Sequence, residues 1–190
     1  MTDIVMEKLT KRFGEHTVLR DFSLTIPAGT LVGVMGESGC GKTTLGNILL
    51  GLLEPDGGEI TGLPEKRAAV FQEDRLLEER TPLQNVRAVT GRKRSRREIL
   101  DFLAALGLPD GAEKPVKTLS GGMRRRVAIA RALLADWDFL VMDEPFKGLD
   151  EATRERVTAK TLEAIAGKTV LLITHDQRDA EICHRVILMS

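Results

Sequence analysis

The sequence has few cysteines, no excess of either charge and no long apolar run, and each shortage removes a class of protein. Its two cysteines, Cys40 and Cys183, form no spaced set, which argues against a disulfide scaffold and fits a reducing cytosol. Lysine plus arginine and aspartate plus glutamate number 28 each, so no overall field attracts nucleic acid or an anionic membrane. We therefore expect no binding that depends on gross charge.

No stretch of the chain approaches the roughly 18 uninterrupted apolar residues that a membrane-spanning helix needs. The segment Met1 to Leu9 carries Asp3, Glu7 and Lys8 and contains no apolar core of signal-peptide length. If the protein works at a membrane, we expect other proteins to hold it there. A chain of 190 residues suits one domain with a small inserted subdomain.

The most informative stretch is residues 36–44, GESGCGKTT, which fits G-x-x-x-x-G-K-[ST] without a mismatch. The apolar run Leu31 to Met35 before it predicts a buried parallel strand, and Leu45 to Leu53 after it predicts a helix. The glycines let successive N–H groups point inward, and the helix adds the positive end of its dipole, so a polyphosphate is the expected ligand. The predicted nucleotide contacts of this loop are Gly36, Glu37, Ser38, Gly39, Cys40, Gly41, Lys42, Thr43 and Thr44.

Two side chains of this loop have more specific expected roles. Lys42 is expected to reach the β- and γ-phosphates. The hydroxyl of Thr43 is expected to complete the shell of a Mg²⁺ ion that keeps several waters. Both expectations follow from the position of these residues at the end of the glycine-rich loop, just before the predicted helix.

Secondary-structure patterns along the rest of the chain predict an α/β protein. The alternating runs Val5 to Phe13 and Thr17 to Ile26 predict a small antiparallel element, and later strands alternate with helices, which predicts a parallel sheet covered on both faces. Residues 73–134 are predicted to form an inserted α-helical subdomain. The turn-forming run 107–111 closes the first part of this subdomain. The basic run Arg92 to Arg97 within it suits a solvated helix start, with contact to lipid headgroups or an acidic partner as the alternative.

Polar side chains follow two apolar strands of the predicted sheet. Phe139 to Met142 precede Asp143 and Glu144. We expect the strand to hold Asp143 toward Mg²⁺, usually through a water, and Glu144 to polarise the water that attacks the γ-phosphate. His175 follows another apolar strand and could hydrogen-bond to γ-phosphate oxygens. Ligands of such sheets bind at the carboxyl ends of the strands, where all these residues fall.

A second predicted anion site begins at residues 119–123, LSGGM, where a serine and two glycines open a helix. Free N–H groups and the helix dipole would both point outward there. One domain seldom needs two such sites for one triphosphate, so we infer that the nucleotide is shared between two copies of the chain. An ordinary N-cap made by Ser120 is the alternative.

With these motifs together, the chain resembles the ATP-binding subunit of an ABC transporter over essentially its whole length. The motifs stand in the family's order, and that order is more specific than any one of them. They are the GESGCGKTT loop, Gln72, Leu119 to Gly122, Asp143-Glu144-Pro145, Gly148-Leu149-Asp150 and His175. The resemblance implies an α/β P-loop NTPase with a RecA-like parallel sheet core, an N-terminal antiparallel β element and an inserted α-helical subdomain, all in one domain of residues 1–190.

The resemblance also implies an ATP-dependent head-to-tail homodimer that encloses two ATP molecules with Mg²⁺, each held by the loop of one copy and the LSGGM segment of the other. The implied ATP contacts outside the loop are Phe13, whose ring would stack on adenine, Ser120, Gly121, Gly122 and Asp150. The implied catalytic residues are Glu144 as general base, His175 and Gln72. The implied Mg²⁺ ligands are Thr43, Gln72 and Asp143.

The same resemblance implies that ATP hydrolysis powers solute import through separate transmembrane permease subunits, with a solute-binding protein, at the cytoplasmic face of the inner membrane. Residues 143–146 and 174–176 resemble importer ATPases, and Val70 to Leu77 resembles the nitrate/sulfonate/taurine group. That group usually has a proline-tryptophan pair where Glu78-Glu79-Arg80 stands, which leaves the solute open. Because the chain ends at Ser190, soon after the histidine strand, we expect no regulatory C-terminal domain.

Two other functions fit parts of the pattern. A soluble ABC-type ATPase acting on nucleic acid or ribosomes would usually add a long coiled coil or a second ATPase domain, and the sequence shows no heptad array or internal repeat. A P-loop kinase for a small molecule would leave the segment Leu119 to Gly122 without a purpose. We therefore favour an energy-coupling subunit and expect no direct contact with nucleic acid.

Overall fold

The computed structural model describes residues 2–108 and 113–189, so residues 109–111 of the predicted closing turn lie outside the described part. The chain divides into two compact units. The first comprises Met1–Ala69, Asp138–Glu144 and Gly167–Ser190, and the second comprises Val70–Trp137 and Pro145–Ala166. The predicted single domain and the predicted insertion over residues 73–134 stay predictions.

An initial hairpin is followed by a mixture of strands and helices. In chain order they are β1 (Ile4–Phe13), β2 (His16–Ile26), β3 (Leu31–Gly36), α1 (Lys42–Leu49), β4 (Gly57–Thr61), β5 (Arg67–Val70), α2 (Pro82–Thr90), α3 (Arg96–Ala105), a short 3₁₀ turn (Val116–Thr118), α4 (Gly121–Leu134), β6 (Phe139–Asp143), α5 (Glu151–Ile165), β7 (Thr169–Thr174), α6 (Gln177–Glu181) and β8 (Arg185–Met189).

Two sheets form from these strands. A three-stranded sheet has the order β2-β1-β4, and β1 pairs antiparallel with both neighbours, as the sequence pattern predicts for the N-terminal element. A five-stranded sheet has the order β5-β6-β7-β3-β8. In it β3 runs parallel to β7 and β8, and β6 runs parallel to β7. The sheet therefore presents the carboxyl ends of these strands at one edge.

Two inner strands of the five-stranded sheet, β6 and β7, are buried along their whole length. Every residue of β6 and β7 is buried, which matches the continuous apolar runs that buried parallel strands require. Apolar residues of α1 join the same core, in which Leu45 and Leu49 lie with Val34, Val141 and Ile173. This packing fixes α1 against the sheet directly after the glycine-rich loop.

Helix α1 differs from the predicted span of Leu45 to Leu53, because it begins at Lys42 and ends at Leu49. Gly51 stops it by adopting a left-handed backbone with φ of 72°. The amide of Gly51 donates to the carbonyl of Ile48 at 2.9 Å, and the amide of Leu52 donates to that of Asn47 at 2.9 Å. These bonds satisfy the last carbonyls of the helix, so the apolar residues beyond it do not extend it.

The helices of the second unit begin with side-chain caps. Thr81 and Gln84 form a capping box at α2, and Ser95 and Glu98 form another at α3. Four residues of the basic run have acidic partners within this unit: Lys93 with Asp136, Arg94 with Glu98, Arg96 with Glu113 and Arg97 with Asp101. These exposed pairs agree with the interpretation of that run as a solvated helix start.

Within residues 2–108 and 113–189, no helix has the length and apolar character needed to cross a bilayer.

Candidate functional site

The glycine-rich loop joins the end of β3 to α1 in the first unit. Gly41 caps α1 with φ of 101°, and a Cβ added there would lie 3.0 Å from side-chain atoms of Val18 and Leu19. A Cβ on Gly36 would lie 2.2 Å from the carbonyl oxygen of Met189. Both positions require glycine, one for its backbone conformation and both for the close approach of neighbouring atoms. The loop geometry thus excludes a side chain at its first and last glycines.

Helix α1 has no side-chain cap and no acidic residue in its first turn. The other α-helices of the described chain each begin at a residue whose side chain accepts a hydrogen bond from the first turn: Thr81, Ser95, Ser120, Asp150 and Asp176. The first amides of a helix need acceptors, and a phosphate supplies them. The first amides of α1 therefore have no side-chain cap to accept from them, and the start of this helix is suited to bind an anion.

The side chain of Lys42 is buried, with 8% of the residue exposed. Its ammonium group donates to the carbonyl oxygens of Gly36 at 2.8 Å and Glu37 at 2.7 Å. The Sγ atom of Cys40 lies 3.6 Å from the same nitrogen. Lys42 therefore holds its charge inside the loop, at the N-terminal end of α1.

The hydroxyl of Thr43 donates a hydrogen bond of 2.8 Å to Oδ2 of Asp143. Thr43 lies in the first turn of α1, and Asp143 is the last residue of the buried strand β6. The structure thus brings together two of the three predicted Mg²⁺ ligands. The third, Gln72, belongs to the second unit and is exposed.

Glu144 follows Asp143 with an unusual backbone. Its φ is 46°, in the left-handed region that non-glycine residues seldom adopt, and its amide donates to the carbonyl of Ile173 at 2.8 Å. Its Oε1 atom lies 2.5 Å from Nδ1 of His175. The side chain of Glu144 is 14% exposed, whereas that of His175 is 60% exposed. Local strain of this kind concentrates at functional sites, and here it directs one carboxylate toward one imidazole.

Phe13 ends β1 and is 50% exposed. The ammonium of Lys11 lies 5.7 Å from the centroid of the Phe13 ring and 2.9 Å from Oδ1 of Asp56. Oδ2 of Asp56 accepts from the amide of Arg12 at 2.6 Å. The hydrogen bond from Lys11 is the largest cause that lowers the pKa of Asp56, followed by the bond from Arg12. An exposed ring beside a fixed cation is available for stacking.

The second unit contains the LSGGM segment. The hydroxyl of Ser120 accepts from the amide of Met123 at 3.3 Å, so Ser120 caps α4 as the alternative interpretation requires. Gly121, Gly122 and Gln72 line one cavity of about 250 Å³. Asp74, Arg125, Lys147 and Gly148 complete its lining. The structure therefore brings the predicted residue Gln72 to the start of α4.

Asp150 caps α5, with its Oδ1 accepting from the amide of Thr153 at 3.0 Å. Hydrogen bonding by Thr153 is the main cause that lowers the pKa of Asp150, and the charge of Arg126 adds to it. This contact gives Asp150 a structural part in the second unit. Its predicted contact with nucleotide stays a prediction.

Arg125 is a residue that the sequence motifs did not single out. It is 5% exposed, and its guanidinium contacts the loop that carries Gln72. The only available signal was the run of three arginines at residues 124–126 after LSGGM. That run gives no indication of which arginine is buried.

A buried parallel strand, a glycine-rich loop and a helix that begins at the loop's lysine define a P-loop protein of the α/β class. The sequence matches the ABC transporter family over residues 19–147. A taurine import ATP-binding protein, TauB, of Roseobacter denitrificans is 40% identical over 100% of this chain and 78% of its own length. An aliphatic sulfonates import ATP-binding protein, SsuB 2, of Pseudomonas fluorescens is 43% identical over 98% of this chain and 73% of its own.

Solved structures agree with these relatives. The dimeric structure of MJ0796, a bacterial ABC transporter cassette, has a TM-score of 0.85 at 31% identity and covers 98% of this chain and 94% of that one. A dimeric post-hydrolysis state of the same cassette, bound to ADP and Pi, has a TM-score of 0.86 at 31% identity and equal coverage. The chain belongs to the ABC transporter family. It is an ATP-binding, ATP-hydrolysing subunit with the P-loop NTPase fold, as the order of the motifs predicts.

The two cysteines allow a test of whether the loop of residues 36–44 lines the nucleotide site. Burial raises the pKa of the Cys183 thiol to about 11, so this thiol stays protonated and unreactive at pH 8. Cys40 is half-buried in the loop beside Lys42. We expect a maleimide to label Cys40 alone, and ATP at ten times its Kd to slow labelling about tenfold.

Peptide mass mapping identifies the labelled thiol, and Cys40→Ser, which removes the reactive group, is the control. Equal labelling rates with and without ATP would show that Cys40 does not line the nucleotide site. Labelling of Cys183 at a comparable rate would contradict the burial of its thiol.

Proposed function

We propose that this subunit hydrolyses Mg²⁺-ATP in a head-to-tail homodimer and thereby powers the import of a small solute through separate membrane subunits. The observation that carries the proposal is the pair of adjacent contacts at the ends of β6 and β7. Thr43 binds Asp143 at 2.8 Å, and the next residue, Glu144, contacts His175 at 2.5 Å. In this proposal Asp143, a metal ligand, and Glu144, the general base, are consecutive residues.

The chemistry of these donors fits Mg²⁺. A hydroxyl oxygen and a carboxylate oxygen are hard ligands, and Mg²⁺ takes only one or two protein oxygens when phosphates and waters complete its shell. We assign Thr43 and Asp143 to the ion and retain Gln72 as a further proposed ligand. Bound Mg²⁺ would neutralise charge that develops on the phosphate oxygens.

The loop would bind the triphosphate. The first amides of α1 and the inward-pointing amides of residues 36–44 would donate hydrogen bonds to its oxygens. Lys42 would exchange its contacts with the loop carbonyls for contacts with the β- and γ-phosphates. The exposed ring of Phe13 would stack on the adenine. Positive groups and amide dipoles would therefore bind the phosphates, while the apolar face of the Phe13 ring would bind the adenine.

Glu144 would act as the general base. Its carboxylate would take a proton from the attacking water, and His175 would hold Oε1 so that Oε2 faces the water. The left-handed backbone of Glu144 fixes this direction before the substrate binds. His175, being more exposed, would also contact the γ-phosphate.

The second unit would supply the other half of the site to a partner copy. Ser120, Gly121 and Gly122 open α4, and Asp150 opens α5. The dimeric cassettes that this chain resembles support a homodimer of this kind. In a head-to-tail dimer with two-fold symmetry, each copy would give its loop to one ATP and its LSGGM segment to the other.

The names of the relatives support the transport assignment. They are import ATP-binding proteins for taurine and for aliphatic sulfonates. Import across a membrane needs subunits that span it, which are called permeases here. We propose such permeases as partners, a solute-binding protein as a further component, peripheral attachment to the cytoplasmic face of the inner membrane and a small sulfonate as the solute.

Replacement of the proposed base tests the chemistry. Glu144→Gln keeps the shape of the side chain but cannot accept a proton, so we expect ATP binding to persist while kcat falls at least about 100-fold. ATP should then trap the dimer, which size-exclusion chromatography with light scattering would detect. The exposed residue Glu59 provides a matched control, because Glu59→Gln makes the same chemical change away from the loop. Parental turnover in Glu144→Gln would show that another group is the base.

Mixing two inactive variants tests the head-to-tail arrangement. Lys42→Ala disables the loop, and Ser120→Arg blocks the LSGGM segment. A mixed dimer keeps one intact site, formed by the loop of the Ser120→Arg copy and the segment of the Lys42→Ala copy. An equimolar mixture should recover about a quarter of the parental activity, because half of the dimers are mixed and each has one site of two. No recovery from dimers shown to be mixed would mean that the loop and segment act within one copy.

Uptake measurements test the solute. A strain whose copy carries Lys42→Ala should lose uptake of labelled taurine and of a short alkanesulfonate, because the P-loop lysine is needed for hydrolysis. Uptake of an unrelated amino acid is the control, and purification from membranes should recover permease subunits with the chain. Unchanged sulfonate uptake with permeases still bound would refute the solute class alone. Absence of any membrane partner would refute the transport role.

A further inference from the structure

Arg125 lies near the start of α4 and is among the few buried charged residues of the second unit. Its Nη1 group donates to the carbonyl oxygen of Phe71 at 2.5 Å and approaches that of Gln72 at 3.4 Å. The same group is 3.2 Å from Oδ1 of Asp74, and Nε donates to the carbonyl of Pro145 at 2.9 Å. One side chain therefore joins α4 to the loop of residues 71–75, which contains Gln72, and to the residue that follows Glu144.

A second arginine of α4 holds the far end of the same loop. Arg131 donates through Nη1 to the carbonyl of Arg75 at 2.6 Å and through Nη2 to the carbonyl of Asp74 at 3.0 Å. Burial is the main cause that lowers the pKa of Arg131. The backbone carbonyls of a loop need donors, and α4 supplies them from two side chains. We call residues Phe71 to Arg75 the Gln72 loop.

The Gln72 loop has a backbone that needs such support. Arg75 has φ of 45°, which is rare for a residue other than glycine. Its guanidinium carbon lies 4.0 Å from the centroid of the Phe71 ring, so the loop is also closed on itself. Strained backbone of this kind persists only where surrounding contacts determine it. The guanidinium groups of Arg125 and Arg131, both on α4, provide those contacts.

The cavity at the start of α4 connects this support to the proposed site. Gln72 lines it together with Gly121 and Gly122, and Arg125 and Asp74 lie in the same wall. A shift of the Gln72 loop would therefore change the position of Gln72 relative to the LSGGM segment. A guanidinium that bonds to several acceptors resists such a shift better than a single-point ammonium would.

We propose that Arg125 is a positioning residue that fixes the Gln72 loop on α4, so that ATP hydrolysis depends on it while initial ATP binding does not. The inference rests on the proposed roles of Gln72 and Ser120. Initial binding uses the loop of residues 36–44, whereas hydrolysis also needs Gln72, whose position the Gln72 loop sets. The side chain acts through Gln72 and has no assigned contact with ATP.

The first arm of the test measures the loop directly, without ATP. A nitroxide on Glu73→Cys, in a Cys40→Ser background, reports mobility of the exposed residue next to Gln72. A nitroxide on Glu155→Cys, exposed on α5, reports whether the unit stays folded. Arg125→Met should add a mobile component to the Glu73 spectrum and leave the Glu155 spectrum unchanged. An unchanged Glu73 spectrum, or a mobile component at both labels, would overturn the positioning role.

The second arm measures turnover in chains with native cysteines, after parental ATPase activity is established. Arg125→Met should lower kcat at least about tenfold and leave the Kd for ATP within about twofold. Arg125→Lys keeps the charge beside Asp74 but loses the fork, so it should retain the fold and give an intermediate kcat. The neighbouring Arg124, whose side chain pairs with Glu78, provides the control Arg124→Gln with near-parental kcat.

The arms separate the possible failures. A mobile Gln72 loop with parental kcat would overturn the link from Arg125 to hydrolysis, and so would an equal loss in Arg124→Gln. A fall in ATP affinity that accounts for the lost activity would also overturn it. Inactivity of the parent chain would refute the proposed function, in which case the nitroxide arm still decides whether Arg125 holds the Gln72 loop.

Discussion

The pairing of β3, β6 and β7 is the constraint on which the site depends. Parallel register places Met35 opposite Thr174 and Asp143 opposite Ile173. The residues that follow these strand ends therefore emerge at one edge of the sheet, and side chains far apart in sequence come within hydrogen-bond distance. A slip of one residue would turn every side chain of the slipped strand to the other face. The continuous burial of β6 and β7 makes such a slip costly on both faces.

Rigid strands alone do not explain the direction in which the Glu144 carboxylate points. The chain must turn sharply after Asp143 for one carboxylate to face Thr43 and the next to face His175. A left-handed backbone at Glu144 makes that turn, and its amide keeps the strand ladder by donating to Ile173. The cost of this conformation, about 1–3 kcal/mol, is borne by the packing of the buried strands on either side. This strained backbone would preorganise Glu144 for its proposed role as the base.

The sequence predicted the elements that carry strong local signals. The motif of residues 36–44, the buried strands and the antiparallel hairpin were all visible because their residue types satisfy local rules. The end of α1 was misplaced, since the apolar residues up to Leu53 hid the stop at Gly51. The backbone of Glu144 and the burial of Arg125 were beyond prediction, because each depends on partners distant in sequence. Arg125 and Phe71, for example, are brought together across 54 positions.

The helix caps that Ser120 and Asp150 form do not compete with a ligand role. As a cap, the Ser120 hydroxyl uses an oxygen lone pair to accept from Met123, and its own proton remains a donor for a phosphate oxygen. Gly121 and Gly122 have no side chains that would screen their amides. Asp150 accepts from the Thr153 amide through Oδ1, and a carboxylate has further lone pairs that can accept from a partner chain. A capped helix start can thus be stable in one copy and still present donors and acceptors to another. The cap fixes the direction of the helix, and the helix then carries Arg125 to the Gln72 loop.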